Sequence, residues 1–266
     1  MSVIVTRPAR DADRWVQALQ ARGLRAEALP LIEIAALPPS QALQQAWRDI
    51  TAYTALMFVS GNAVDGFLAS NQASALIRHA RSATDSIAND APRFMAPGPG
   101  TVAALRDAGV PDALIDAPAA DAGQFDSEAL WAVAGRREWQ GRRVLIVRGQ
   151  NAGADAAAGA GRDWLAQQLA AAGATVDAVA VYERRAPVFT PRQLQRIGEA
   201  AGDGSIWLLS SSEALANLPA GQWLQARAVA THPRIAEAAR AAGWGVVVQS
   251  RPALGDIVAS IESIQP

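Results

Sequence analysis

Hydroxyls, glycines and backbone amides gather at six places where an apolar run of this chain breaks into a helical pattern. They are Thr6-Arg7, Ser60-Gly61-Asn62, Gly98-Pro99-Gly100-Thr101, Arg148-Gly149, Ser210-Ser211-Ser212 and Thr231-His232-Pro233. In open parallel sheets, ligands bind beyond the carboxyl ends of the strands. Unpaired N–H groups and the helix dipole favour negative charge at helix N-termini. Each turn taken singly is also explained by capping, since Ser and Asn close helix starts and glycine serves tight turns. The six together point to a polyanionic or polycarboxylate ligand.

Other chemistries find little support. The P-loop pattern G-x-x-x-x-G-K-[ST] is absent, and Gly98-Pro99-Gly100 is no dinucleotide fingerprint. Pro99 also lacks the N–H that a phosphate cradle would use. The nucleophile elbow G-x-S-x-G is missing. With two histidines and no cysteine, no transition-metal site and no thiol nucleophile are expected. His79 reads as a solvated surface residue. His232, in a turn at a strand end, reads equally as a ligand contact or as an ordinary turn residue. Only two tyrosines occur. Tyr53 is expected to pack beside the strand at Ala55. Tyr182 ends a long extended piece, where it serves either packing or a ligand; its phenol would be fit to donate a hydrogen bond or a proton. The eight tryptophans are scattered and read as packing residues.

With 266 residues, half of them apolar, the chain can bury a sizeable core as one large domain or two ordinary ones. A net charge of −1 argues against a nucleic-acid partner. The start, Met1-Ser2-Val3-Ile4-Val5-Thr6-Arg7-Pro8, lacks the pattern of a signal peptide, and no apolar run reaches the ~20 residues of a membrane span. The expectation is a soluble cytoplasmic protein.

Strands are expected at Val3–Val5, Ala55–Val59, Arg93–Ala96, Leu114–Asp116, Val144–Val147, Ile206–Leu209, Ala228–Ala230 and Val246–Val248. Amphipathic or capped helices alternate with them, including Ala12–Arg22, a helix opened by Ser40, and one opened by Ser127. Residues 150–161, rich in alanine and glycine, are expected to form a mobile loop, and Asn71–Ala91 carry no clear strand. This alternation predicts parallel sheets covered on both faces.

The chain also repeats itself. Phe58-Val59-Ser60-Gly61 is echoed by Leu208-Leu209-Ser210-Ser211, Ala96-Pro97-Gly98-Pro99 by Ala230-Thr231-His232-Pro233, and, more loosely, Val3–Arg7 by Val144–Arg148. Two long extended pieces, Leu24–Ile34 and Thr175–Glu183, do not fit a tandem arrangement and read as strands crossing between lobes. The expected architecture is two similar flavodoxin-like α/β lobes with parallel sheets, joined by two crossing extended strands. Residues 1–35 plus 184–266 form one lobe and residues 36–183 the other, their facing turns gripping one ligand.

Together these residues resemble the uroporphyrinogen-III synthase family. The matching segments are Val5-Thr6-Arg7-Pro8, Leu29-Pro30-Leu31-Ile32-Glu33-Ile34, Phe58–Val64, Gly98–Thr101, Ser127–Leu130, Val144–Gly149, Val181-Tyr182-Glu183-Arg184 and the Ser210–Ser212 turn. The resemblance runs in order from residue 3 to about 260 and implies a cytoplasmic monomer of tetrapyrrole biosynthesis. Its substrate would be hydroxymethylbilane, a linear tetrapyrrole with a carboxylate on every side arm. Such enzymes remove the terminal hydroxyl as water and close the ring through a spiro intermediate that inverts ring D. No metal or organic cofactor takes part, and a transient encounter with the preceding pathway enzyme is implied. Carried over residue by residue, Tyr182 matches the tyrosine proposed to assist departure of the hydroxyl. Ser60, Gly98, Thr101 and Ser210 match turns that contact the substrate. Arg7, Gly61, Asn62, Pro99, Gly100, Arg148, Gly149, Ser211, Ser212 and His232 complete the expected binding set. At His232-Pro233-Arg234-Ile235 the chain departs from the family's Gly-Pro pattern. Two rivals remain: a non-catalytic hinge module for a tetrapyrrole or other polycarboxylate, and a nucleotide-dependent enzyme on a flavodoxin-like fold.

Overall fold

The computed structural model describes residues 2–68, 76–77, 91–152 and 163–264. The chain divides into two compact units, one made of Met1–Glu33 with Arg185–Pro266 and the other of Ile34–Arg184. His79 and most of the stretch Asn71–Ala91 lie outside the described residues, as do residues 153–162.

The first unit holds strands β1 (Val3–Val5), β2 (Ala26–Ala28), β9 (Ile206–Leu209), β10 (Arg227–Ala230) and β11 (Val246–Gln249). They form one sheet in the order β11-β10-β9-β1-β2, every pair parallel. Helices α1 (Ala9–Gln20), α7 (Pro191–Ala200), α8 (Ser212–Ala216), α9 (Pro233–Ala241) and α10 (Leu254–Ser263) connect and cover it. Fully buried strands need apolar residues on both faces; β1 and β9 meet that demand with every residue buried. One face packs Val3, Val5, Ile206, Leu208 and Val229 against Leu19 of α1 and Ile257 and Ile261 of α10. On the other, Trp207 meets Trp223 and Trp244 edge to face at 5.6 Å, and those two rings stack at 5.0 Å. These tryptophans are packing residues, with the Trp207 indole N–H spent on the carbonyl of Ala200.

The second unit contains β3 (Glu33–Ala36), β4 (Ala55–Phe58), β5 (Arg93–Met95), β6 (Ile115–Asp116), β7 (Arg143–Asn151) and β8 (Thr175–Arg185), in the order β3-β8-β7-β4-β5-β6. The pairs from β8 through β6 are parallel. The helices are α2 (Gln41–Arg48), α3 (Gly61–Leu68), α4 (Pro99–Asp107), α5 (Ser127–Ala134) and α6 (Asp163–Ala171).

The two sheets are built alike. Reading β7, β8, β4, β5 and β6 as counterparts of β1, β2, β9, β10 and β11 gives the same spatial order, β6-β5-β4-β7-β8 against β11-β10-β9-β1-β2. Chain order differs only by circular permutation. The register makes the match residue by residue: Val3 lies opposite Ile206, and Val144 opposite Ala55. Arg7 therefore corresponds to Arg148, and Phe58 to Leu209.

Several expectations change. Leu24–Ile34 is not one strand: β2 and β3 are separated by a bend through Leu29–Ile32, because Pro30 has no N–H for a ladder. Leu29 and Leu31 instead donate their N–H groups to Val5 and Thr6. Asp126, not Ser127, caps α5, its Oδ1 accepting the Ala129 N–H at 2.9 Å. Strand β7 runs on through Arg148, Gly149, Gln150 and Asn151, so Arg148-Gly149 is not a strand-end turn, and Gln150 and Asn151, expected in the loop, are strand residues. Tyr53 packs as expected, and its hydroxyl donates to Asp177 at 2.8 Å.

At the edge of the second sheet, the buried Asp116 carboxylate accepts paired bonds from Arg93 and Arg137 at 2.6–3.2 Å. Burial pushes its pKa up, but the bonds and charges of the two arginines outweigh this and hold it below the usual carboxylate value. A depressed pKa stabilises the fold above the unfolded value and loses that contribution as pH falls through the folded one. Asp116→Asn should therefore cost about 2 kcal/mol at neutral pH, measured by urea unfolding. The difference from wild type should shrink below about pH 4, where the unfolded carboxyl begins to protonate.

Candidate active site

In each sheet one pair of neighbouring strands sends its following helices to opposite faces, which opens a crevice at their carboxyl ends. In the first unit the pair is β1 and β9; in the second it is β7 and β4. The residues at these ends are Thr6-Arg7 with Ser210–Ser212, and Ser60–Asn62 beside Arg148-Gly149, which lie within β7 two residues short of its end.

The second unit brings the tightest group together. Ser60 caps α3: its Oγ accepts the Ala63 N–H at 3.2 Å. The same oxygen lies 3.1 Å from the hydroxyl of Tyr182. Gly61 sits near the next turn, where an added Cβ would lie 3.6 Å from the carbonyl oxygen of Gly100 and 3.5 Å from Ala104. Gly98 is the extended cap of α4 with Pro99 in its first turn; Gly100 faces open space and Thr101 is buried.

Tyr182 reaches this group through an irregularity. On β8, Val179 and Val181 pack with Val147 in the core that contains Tyr182, whereas Val176 and Ala178 face α6. Simple alternation would put Tyr182 on the α6 face. The register instead pairs Arg148 with Ala180 and Gly149 with Tyr182, leaving Val181 as an extra residue. Such a bulge reverses the parity beyond it, so Tyr182 lies on the Ser60 side. Its ring lies across Gly149, where an added Cβ would meet Cε2 and Cζ of the ring and approach Cδ2 to 2.8 Å. Helix α3 follows the bulge closely, since a Cβ on Gly66 would come within 3.0 Å of Val181.

Arg148 does not join this group. It lies on the α6 face, lining with Ile146, Ala166, Gln167, Ala170, Val176 and Ala178 a cavity of about 330 Å³. Its counterpart Arg7 likewise faces the helix after its own strand, its guanidinium 4.8 Å from the Trp15 ring centroid. The Arg7 Nε is buried with no hydrogen-bond partner among the described residues. Burial lowers the guanidinium pKa, with Asp11 opposing that shift; an anion at this place would offset the same cost.

The repeat is displaced by one residue from its sequence reading. Ser211, not Ser210, corresponds to Ser60: its Oγ accepts the Ala214 N–H at 3.3 Å and caps α8. Ser210 stands where the other unit has Val59, and Ser212 begins the helix. Thr6 spends its hydroxyl on the Leu208 carbonyl at 2.7 Å, which locks β1 to β9. His232 and Gly98 adopt the same extended backbone before a proline, with φ −157° and −156°. His232 adds what glycine lacks: its Nδ1 accepts the Arg234 N–H at 3.2 Å, so the neutral ring carries its proton on Nε2. Among the described residues, no group of three or more His, Cys, Asp or Glu is placed to hold a metal ion.

The family model of uroporphyrinogen-III synthase HemD matches residues 13–259. The chain belongs to the uroporphyrinogen-III synthase family. These enzymes are lyases of heme biosynthesis. The structure is similar to that of uroporphyrinogen-III synthetase from Helicobacter pylori, with 15% identity, TM-score 0.57 and 99% of each chain covered. It is also similar to a mutant uroporphyrinogen III synthase from the extremely thermophilic bacterium Thermus thermophilus, with 14% identity, TM-score 0.54 and coverage of 99% of this chain and 98% of the other. At these identities the likeness bears on the fold, while the family match bears on the activity. No curated protein matches the chain.

Ser60→Ala removes a helix cap and should cost about 1 kcal/mol. Ser60→Thr, which keeps a capping hydroxyl, should recover most of it in the same urea titration.

Proposed function

We propose that, in the family's reaction, Tyr182 assists departure of the terminal hydroxyl of hydroxymethylbilane while amides and hydroxyls at strand ends hold its carboxylates. The single observation that carries this reading is the Ser60–Tyr182 contact at the β4/β7 crevice. Ser60 already accepts from Ala63 and has one proton to give. When that proton points to the Tyr182 oxygen, the phenolic proton is turned towards the crevice. The chain Ala63 N–H, Ser60 O–H, Tyr182 O–H polarises in one direction, which strengthens its last donor.

The C–O bond of the hydroxymethyl group then breaks with that proton, giving water, while a pyrrole nitrogen supplies the electron pair that forms the azafulvene. The far ring attacks, the spiro intermediate rearranges, and the ring proton lost on closure replaces the proton that the Tyr182 hydroxyl gave up. The substrate is intrinsically reactive, so holding its two ends in one conformation supplies much of the catalysis. Its carboxylates meet the amides at the starts of α3 and α4, with Arg7 and Arg234 as cationic partners. Ser210 and Ser212 offer hydroxyls beside the cap of α8, and Asn62 an amide beside that of α3. The protein acts as a cytoplasmic monomer that meets the preceding pathway enzyme only transiently.

Purified protein supplied with hydroxymethylbilane should yield the type III isomer, resolved chromatographically from the spontaneous type I product. Tyr182→Phe should lower type III formation on the order of 100-fold with little change in stability. Type I alone from the wild type would leave the non-catalytic binding module as the better account.

A further inference from the structure

We propose that Gly149 is a positioning residue: the absence of a side chain there, opposite the bulge at Val181, forms the seat that aims the Tyr182 hydroxyl at Ser60. This rests on the role given to Tyr182 above. Position 149 would then be occupied by glycine for Tyr182's sake and not for a ligand's.

Three observations converge. The ladder between β7 and β8 is regular from Arg143 to Arg148, slips by one residue, and resumes with Gly149 opposite Tyr182. Without the slip, Tyr182 would project towards α6 on the face of Ala178 and away from Ser60. With it, two consecutive β8 residues, Val181 and Tyr182, crowd one face, and the ring has room only by lying flat over a residue without Cβ. Any side chain at 149 would occupy the place of Cε2 and Cζ. That overlap is with a rigid, buried ring 5% exposed, so it cannot be relieved by a small rotation. Gly149 itself carries no demand for a left-handed backbone, since it is not among the glycines with positive φ. Its requirement is therefore spatial: a side chain is excluded by the ring and not by the main chain. At the other end of the tyrosine, the Ser60 oxygen sets the hydroxyl position at 3.1 Å. Seat and stop together leave the ring one placement.

The test is a pair of double-mutant cycles read by isomer assay and thermal melting. Gly149→Ala should lower kcat for type III formation on the order of 100-fold, the cost of an ångström-scale misplacement, with KM little changed. In the Tyr182→Phe background, the same substitution should change kcat by less than about threefold, because the hydroxyl it displaces is already gone. Near-wild-type activity of Gly149→Ala, or full additivity with Tyr182→Phe, would overturn the proposal. If Gly149→Ala is too unstable to assay, the ring is removed: Gly149→Ala/Tyr182→Ala should melt within a few degrees of Tyr182→Ala alone. A double variant that melts as far below Tyr182→Ala as Gly149→Ala does below wild type would equally overturn it. Should the wild type make only the type I isomer, the functional role of Tyr182 fails, and the melting cycle still decides whether its ring is what Gly149 accommodates.

Discussion

One unpaired residue in a parallel ladder decides which face of its strand Tyr182 occupies. Side chains on a strand alternate between faces, so an extra residue transfers everything after it to the other side. In β8 that residue is Val181, and what it transfers is Tyr182. The neighbouring structure is shaped around the slip. Gly149 leaves space for the ring, Gly66 lets α3 approach the bulge, and the α3 cap supplies the oxygen that meets the phenol.

The two sheets also divide labour along their strands. Near the amino ends, charged groups satisfy one another: Arg143 bridges Asp177 and Asp49, and Arg196 bridges Glu27 and Asp203. Such partly exposed pairs add little stability singly. Past the carboxyl end of β1, the Arg7 Nε is buried with no hydrogen-bond partner among the described residues.

The two units share one strand order, with the chain order of one a circular permutation of the other. Equivalent strands keep equivalent caps, Ser60 with Ser211 and Gly98 with His232. Equivalent arginines keep the same face but not the same surroundings. Arg7 lies over Trp15, whereas Arg148 looks onto Ala166 and Ala170, and the smaller side chains leave a cavity there. The units thus share geometry while differing in what they offer a ligand.

Much of this was decided locally and could be read from residue order. Apolar runs of four residues, prolines at helix starts and hydroxyls three residues ahead of a free N–H act within one turn of chain. The strands β4, β7 and β9, the cap at Ser40 and the strand-to-helix turns followed from them. The flavodoxin-like plan followed too, because alternating strands and helices have few ways to bury both faces of a sheet. Pairing between distant strands was different. Whether Leu24–Ile34 formed one strand or two depended on which neighbours accepted its N–H groups. The alignment of the repeat was one residue off because only ladder register identifies Ser211 with Ser60. Tyr182 is the plainest case. Its identity marked it as a donor, while simple alternation from Ala178 would turn it towards α6. Only its pairing with Gly149, on a strand far back along the chain, turned it towards Ser60, because a bulge is a property of two strands together and leaves no mark on either alone.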